Sequence, residues 1–81
     1  NFHTILAFDA GDAEACSAAT AYLDRLAARA IAMEGTCTGE HGIGQGKAKY
    51  LAAEAGTALD VMRRVKASLD PSGLMNPGKI F

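Results

Sequence analysis

Between residues 35 and 47 the chain reads Gly35-Thr36-Cys37-Thr38-Gly39-Glu40-His41-Gly42-Ile43-Gly44-Gln45-Gly46-Lys47, which gathers five glycines, a thiol, a carboxylate, an imidazole and a lysine. Glycine loses more backbone freedom on ordering than any other residue, so glycines recurring inside a domain imply unusual dihedrals or close approach of the backbone to a flat or charged group. Glu40 and His41 are the reactive pair in that run. A loop can turn neighbouring side chains toward one point, where a helix would splay them by about 100°. Histidine titrates nearest neutrality and suits proton abstraction from a hydroxyl, while a carboxylate beside it can bind a divalent metal or hold the imidazole. A solvated loop pair accounts for the same two residues without chemistry.

Other assignments for this run fare worse. A Walker-type phosphate loop ending at Gly46-Lys47 would need glycine at His41 and a hydroxyl residue at Ala48. The dinucleotide fingerprint requires GxGxxG directly after a strand, whereas Gly42, Gly44 and Gly46 are evenly spaced and follow a helical pattern. Cys37 lies four residues before His41, but nothing electropositive surrounds it to favour a thiolate. Lys47 and Lys49 could hold an anionic group, or simply solvate a helix start. His3 is either a hydrogen-bonded structural residue or a metal ligand. With Glu40 it would give two of the three protein ligands usual at a catalytic metal.

The elements that must position these residues follow from periodicity. Phe2, Leu6 and Phe8 alternate with His3 and Ile5, the pattern of a strand over 2–8. Asp12 is placed to cap a helix running from about Ala13 to about Met33, with Ala15, Ala19, Tyr22, Leu23, Leu26, Ala30 and Ile31 as its buried stripe. A second helix is expected over 47–55, with Gly56 just past its end. Thr57-Ala58-Leu59-Asp60 resembles a capping box opening a third. Its stripe would be Ala58, Val61, Met62, Val65 and Leu69, with Arg63, Arg64 and Lys66 in solvent, and it must stop near Asp70 because Pro71 follows. In the turn-rich tail, the Asn76 amide could address the polar edge of a heterocycle. The expected class is therefore an α+β fragment, mostly helical with about three helices and one N-terminal strand.

Composition narrows the function classes. The 81 residues suit one small domain; 49% are hydrophobic, but 17 of these are alanine and none is tryptophan, which favours close helix packing over a thick core. A formal charge of −1 with interspersed signs argues against nucleic-acid and anionic-membrane partners. Cys16 and Cys37 form no CxxC, so neither a disulfide framework nor a zinc ribbon is indicated, and a reducing, cytoplasmic setting is expected. No apolar run is long enough to span a bilayer. The chain begins at Asn1 with a strand-like segment, so it is expected to be part of a longer protein.

Glu40-His41-Gly42-Ile43-Gly44, followed by Leu69-Asp70-Pro71 and Leu74-Met75-Asn76-Pro77-Gly78-Lys79-Ile80-Phe81, resembles the C-terminal end of the FAD-linked oxidase family. This family takes in D-lactate dehydrogenase, D-2-hydroxyglutarate dehydrogenase and the flavin-linked component of glycolate oxidase, within the vanillyl-alcohol-oxidase-type flavoproteins. The resemblance spans the whole chain and implies that residues 1–81 are the C-terminal portion of the α+β cap domain, with the N-terminal FAD-binding domain absent. It further implies that His41 is the catalytic base, that His3 and Glu40 are ligands of a divalent metal such as zinc or manganese, and that Gly39, Glu40, Gly42 and Asn76 meet the flavin. FAD and a small 2-hydroxy acid would be the partners, and the fragment alone would be inactive. The competing reading is a non-catalytic helical interaction or oligomerisation module, self-associating through its N-terminal strand.

Overall fold

The computed structural model describes all of residues 1–81 and contains three helices in the order α1 (Ala13–Ala32), α2 (Ala48–Ala55) and α3 (Ala58–Leu69). The chain divides into two compact units, Asn1–Glu40 and His41–Phe81.

In the first unit, the Asp12 carboxylate accepts hydrogen bonds from the Glu14 and Ala15 N–H groups at 2.9 and 3.2 Å, which satisfies two of the four donors that a helix start leaves unpaired. Glu14 in the first turn and Arg29 in the last complement the helix dipole. Ala19 and Ala27 of α1 are buried, and Ala15, Tyr22, Leu26, Ala30 and Ile31 are partly so, matching the expected stripe except at Leu23, which is exposed. The helix ends as the Gly35 N–H returns to the Ala30 carbonyl at 2.9 Å. Glu34 takes the left-handed conformation there, with φ 59°.

The second unit contains α2 and α3, which pack against each other. Leu51 and Leu59 are its buried apolar residues. Gly56, with φ 53°, ends α2 as expected, its N–H bonding the Ala52 carbonyl at 3.1 Å. The capping box at Thr57 is absent: Thr57 is itself helical and its side chain makes no cap bond, while Asp60 lies 3.5 Å from Arg63 one turn on. A turn this tight at Gly56 leaves no extended residue from which a threonine hydroxyl could reach forward.

Two further expectations are corrected. The structure has no strand, so the α+β class gives way to a helical one. Residues 2–8 alternate as a strand does, but a strand is defined by ladder bonds to a partner, and no partner strand exists in the chain. The apolar stripe of α3 is also not buried: Val61, Met62, Val65 and Leu69 are 60%, 37%, 53% and 72% exposed. Its spacing made the helix correctly, but periodicity specifies a face and not what covers it.

Replacing Asp12 by alanine should lower stability by about 1 kcal/mol through loss of the α1 cap. Urea unfolding followed by helical circular dichroism measures this, and an unchanged midpoint would show that the cap contributes nothing.

Candidate functional site

Within the first unit, His3 Nε2 stands 3.5 Å from Glu40 Oε1. The other carboxylate oxygen of Glu40 accepts a hydrogen bond from the Asn1 side-chain amide at 2.7 Å. Both partners in the histidine–carboxylate contact are largely exposed, at 53% and 66%. The segment leading to Glu40 is tied locally: the Thr36 and Thr38 hydroxyls lie 3.1 Å apart, the Thr38 N–H donates to Thr36 Oγ1, and the Thr38 hydroxyl donates to the Gly39 carbonyl. Gly39 is favoured here by its φ of 53°, a left-handed conformation that L side chains rarely adopt, while the Asn1 amide oxygen lies 2.7 Å from where a Cβ would project.

An imidazole nitrogen and a carboxylate oxygen facing one point are the donor chemistry of zinc and related divalent ions. Two donors each about 2.1 Å from a tetrahedral ion stand about 3.4 Å apart, so the observed separation fits two ligands of one cation. The expected pairing of His3 with Glu40 is thus present as a contact. His41 follows Glu40 directly in the chain, is exposed, and opens the second unit.

That second unit contains an open cleft of about 440 Å³ between the glycine run at Gly42, Ile43 and Gly44 and the tail at Met75, Asn76, Lys79, Ile80 and Phe81, with Lys66 on its wall. The tail is bound to the run by the Ile80 N–H, which donates to the Gly44 carbonyl at 2.7 Å. Gly42 and Gly44 have φ 75° and 52°, and no heavy atom lies within 4 Å of where a Cβ would project from either. The backbone therefore presents a bare surface beside apolar walls, with Asn76 and Lys79 among the polar residues of the lining. A flat heterocycle with polar edges fits such a cleft. Gly42 and Asn76, both expected to meet the flavin, line it together, whereas Gly39 and Glu40 belong to the first unit.

The shape of the tail depends on residues to which the sequence assigned other roles. Asp70 is buried at the end of α3, its side chain accepting from the Leu74 N–H at 2.8 Å and the Met75 N–H at 2.9 Å. The Lys66 ammonium bonds the same carboxylate and also donates to the Met75 carbonyl at 2.6 Å. Lys66 is therefore not a solvated residue of the α3 surface, as its charge suggested. The available signal was the spacing of four between Lys66 and Asp70, which puts opposite charges on one helical face. Asn1 carried no signal at all, because nothing in the local pattern links it to a residue 39 positions away.

The family described as FAD linked oxidases, C-terminal domain, matches residues 1–80 of the chain. The chain belongs to this family. A probable mitochondrial D-lactate dehydrogenase of Danio rerio is 52% identical over 82 residues, covering 100% of this chain and 16% of the relative. A mitochondrial D-lactate dehydrogenase [cytochrome] of Arabidopsis thaliana is 48% identical, covering 100% and 14%. The glycolate oxidase subunit GlcD of Bacillus subtilis is 46% identical over 54 residues, or 65% of the chain and 12% of the relative. The chain thus spans about a sixth or less of the length of these relatives. The FAD-linked oxidase recognised in the sequence is borne out, as is FAD as the cofactor of the family. The cytoplasmic expectation is overturned, since the D-lactate dehydrogenase relatives from fish, plant and yeast are named as mitochondrial. Cysteines that form no disulfide fit any reducing compartment, so they did not single out the cytoplasm. No helix is long and apolar enough to cross a membrane.

The Lys66 hydrogen bond, ahead of the two backbone N–H groups, holds the Asp70 carboxyl below its ordinary value, while burial acts the other way. The folded-state value lies below the unfolded one, so this contribution to stability is complete above the ordinary carboxylate range and is lost as pH falls through the folded-state value. Unfolding midpoints measured from about pH 7 to about pH 2 should show this loss, and Asp70→Asn should flatten that part of the profile. An identical acid profile in the variant would show that Asp70 does not couple folding to pH.

Proposed function

We propose that this chain is the C-terminal portion of an FAD-dependent D-2-hydroxy acid dehydrogenase, contributing the proton acceptor and part of the metal and flavin surroundings. The observation that carries this reading is the family match across residues 1–80, with full-length coverage of the chain by proteins named D-lactate dehydrogenase. A mitochondrial setting follows the naming of those relatives.

Oxidation of a 2-hydroxy acid to a 2-oxo acid removes the hydroxyl proton and a hydride from C2. His41 accepts the hydroxyl proton, a task suited to an imidazole because its neutral form is available near pH 7. His3 and Glu40 hold a divalent cation, and the Asn1 amide on the second oxygen of Glu40 orients that carboxylate. Gly42 allows close approach to the ring, and the Asn76 amide meets its polar edge. Bound FAD supplies the hydride acceptor, and a bound cation supplies polarisation of the alcohol oxygen.

The test is dye reduction by the full-length FAD-loaded parent with D-lactate, glycolate and D-2-hydroxyglutarate. Substituting His41 by alanine should lower turnover by about 10²–10⁴. A change within error would remove its role as the base. Replacing Glu40 by glutamine should reduce the metal content of the purified parent, read by elemental analysis. Equal metal in both proteins would show that Glu40 is not a ligand.

A further inference from the structure

Asn76 adopts a left-handed backbone conformation, with φ 47°. Asparagine enters this region more readily than most residues, but a single turn residue does not hold one orientation by preference alone. The direction in which its side chain leaves the backbone depends on the plane of the Met75–Asn76 peptide and on the rotation about the Asn76 N–Cα bond. Both sides of the residue are tied. On the C-terminal side, the Lys79 N–H donates to the Asn76 carbonyl at 3.2 Å. On the N-terminal side, the Met75 carbonyl, which belongs to the same peptide as the Asn76 N–H, accepts from the Lys66 ammonium. The two preceding N–H groups, those of Leu74 and Met75, donate to separate oxygens of the Asp70 carboxylate. The Gly73 N–H donates to the Asp70 backbone carbonyl at 3.0 Å.

We infer that Lys66 and Asp70 form a clamp that sets the orientation of Asn76 in the cleft, and so are positioning residues for its contact with the flavin ring. This rests on the flavin reading of Asn76 given above. Lys66 is suited to the task by its double engagement: one ammonium joins the carboxylate at the end of α3 to a tail carbonyl, so the position of the helix is transmitted to the turn. A lysine that only complemented the α3 dipole would need neither partner. The carboxylate is buried, which strengthens its charge-assisted bonds over those of an exposed group. Lys66 and Asn76 also line the same cleft, so the clamp lies beside the group it orients.

The experiment uses the full-length flavoprotein parent and the variants Lys66→Met, Lys66→Arg, Asp70→Asn and Asn76→Ala. Hydrogen exchange at the amides of Leu74 and Met75 and the visible absorbance and circular dichroism of the flavin are measured on each. Lys66→Met and Asp70→Asn should speed exchange at those two amides by about tenfold or more while leaving the α3 amides protected. Both should shift the flavin spectrum in the direction produced by Asn76→Ala, and Lys66→Arg should restore it. Unchanged exchange would show that there is no clamp. Faster exchange with a wild-type spectrum, where Asn76→Ala does shift the spectrum, would show that the clamp serves stability alone and overturn its positioning role. If Asn76→Ala itself leaves the spectrum unaltered, the flavin reading of Asn76 fails and the positioning role falls with it, whatever the exchange rates show.

Discussion

The Asp70 carboxylate is the point on which the second unit depends. It is the one buried charged group of the chain, and it is paired on both oxygens. A carboxylate removed from water in that place needs hydrogen-bond partners to replace it. Those partners are two tail N–H groups and the Lys66 ammonium, and satisfying the charge therefore dictates the path of the chain after α3. The Ile80 bond to Gly44 carries the same path back to the glycine run. Polar ties take on this work because apolar burial is thin: only Ala19, Ala27, Leu51 and Leu59 form a buried core, two of them with the smallest side chain that buries at all.

Glu40 is handled differently. It is exposed, and its two oxygens have separate partners, the Asn1 amide and the His3 imidazole. Water competes for both contacts, so the carboxylate is ordered by geometry more than by strength. The two acidic residues thus differ in setting: Glu40 meets solvent and two side chains, whereas Asp70 is committed to the tail backbone and to Lys66.

Much of this was legible in the chain itself, and the rest failed for identifiable reasons. The helices were readable because 3.6-residue spacing, the Asp12 cap and the Gly56 stop are local properties. Glu40, His41, Gly42 and Asn76 stood out by residue type within glycine-rich or turn-rich stretches. The strand over 2–8 was misread because alternation is a property of the segment, while a sheet is a property of its partners. The Thr57 cap was misread because a four-residue pattern does not show the backbone conformation on which capping depends. Lys66 was taken for a solvated residue because charge alone gives no account of a carboxylate and a carbonyl that fold back from the tail. Asn1 meets Glu40 through tertiary placement, to which local pattern is blind.

The uncovered stripe of α3 bears on how stability should be understood. Fully burying a side chain such as valine, leucine or methionine is worth about 1.5–3 kcal/mol, and Val61, Val65 and Leu69 are each more than half exposed. Against the roughly 5–15 kcal/mol that holds a typical domain folded, the ungained portion is large. Any surface that covered the stripe in the folded state alone would raise the unfolding free energy by mass action. Heat resistance in this chain is therefore a variable of its surroundings, and a melting temperature for it has meaning only together with a statement of what lies against α3.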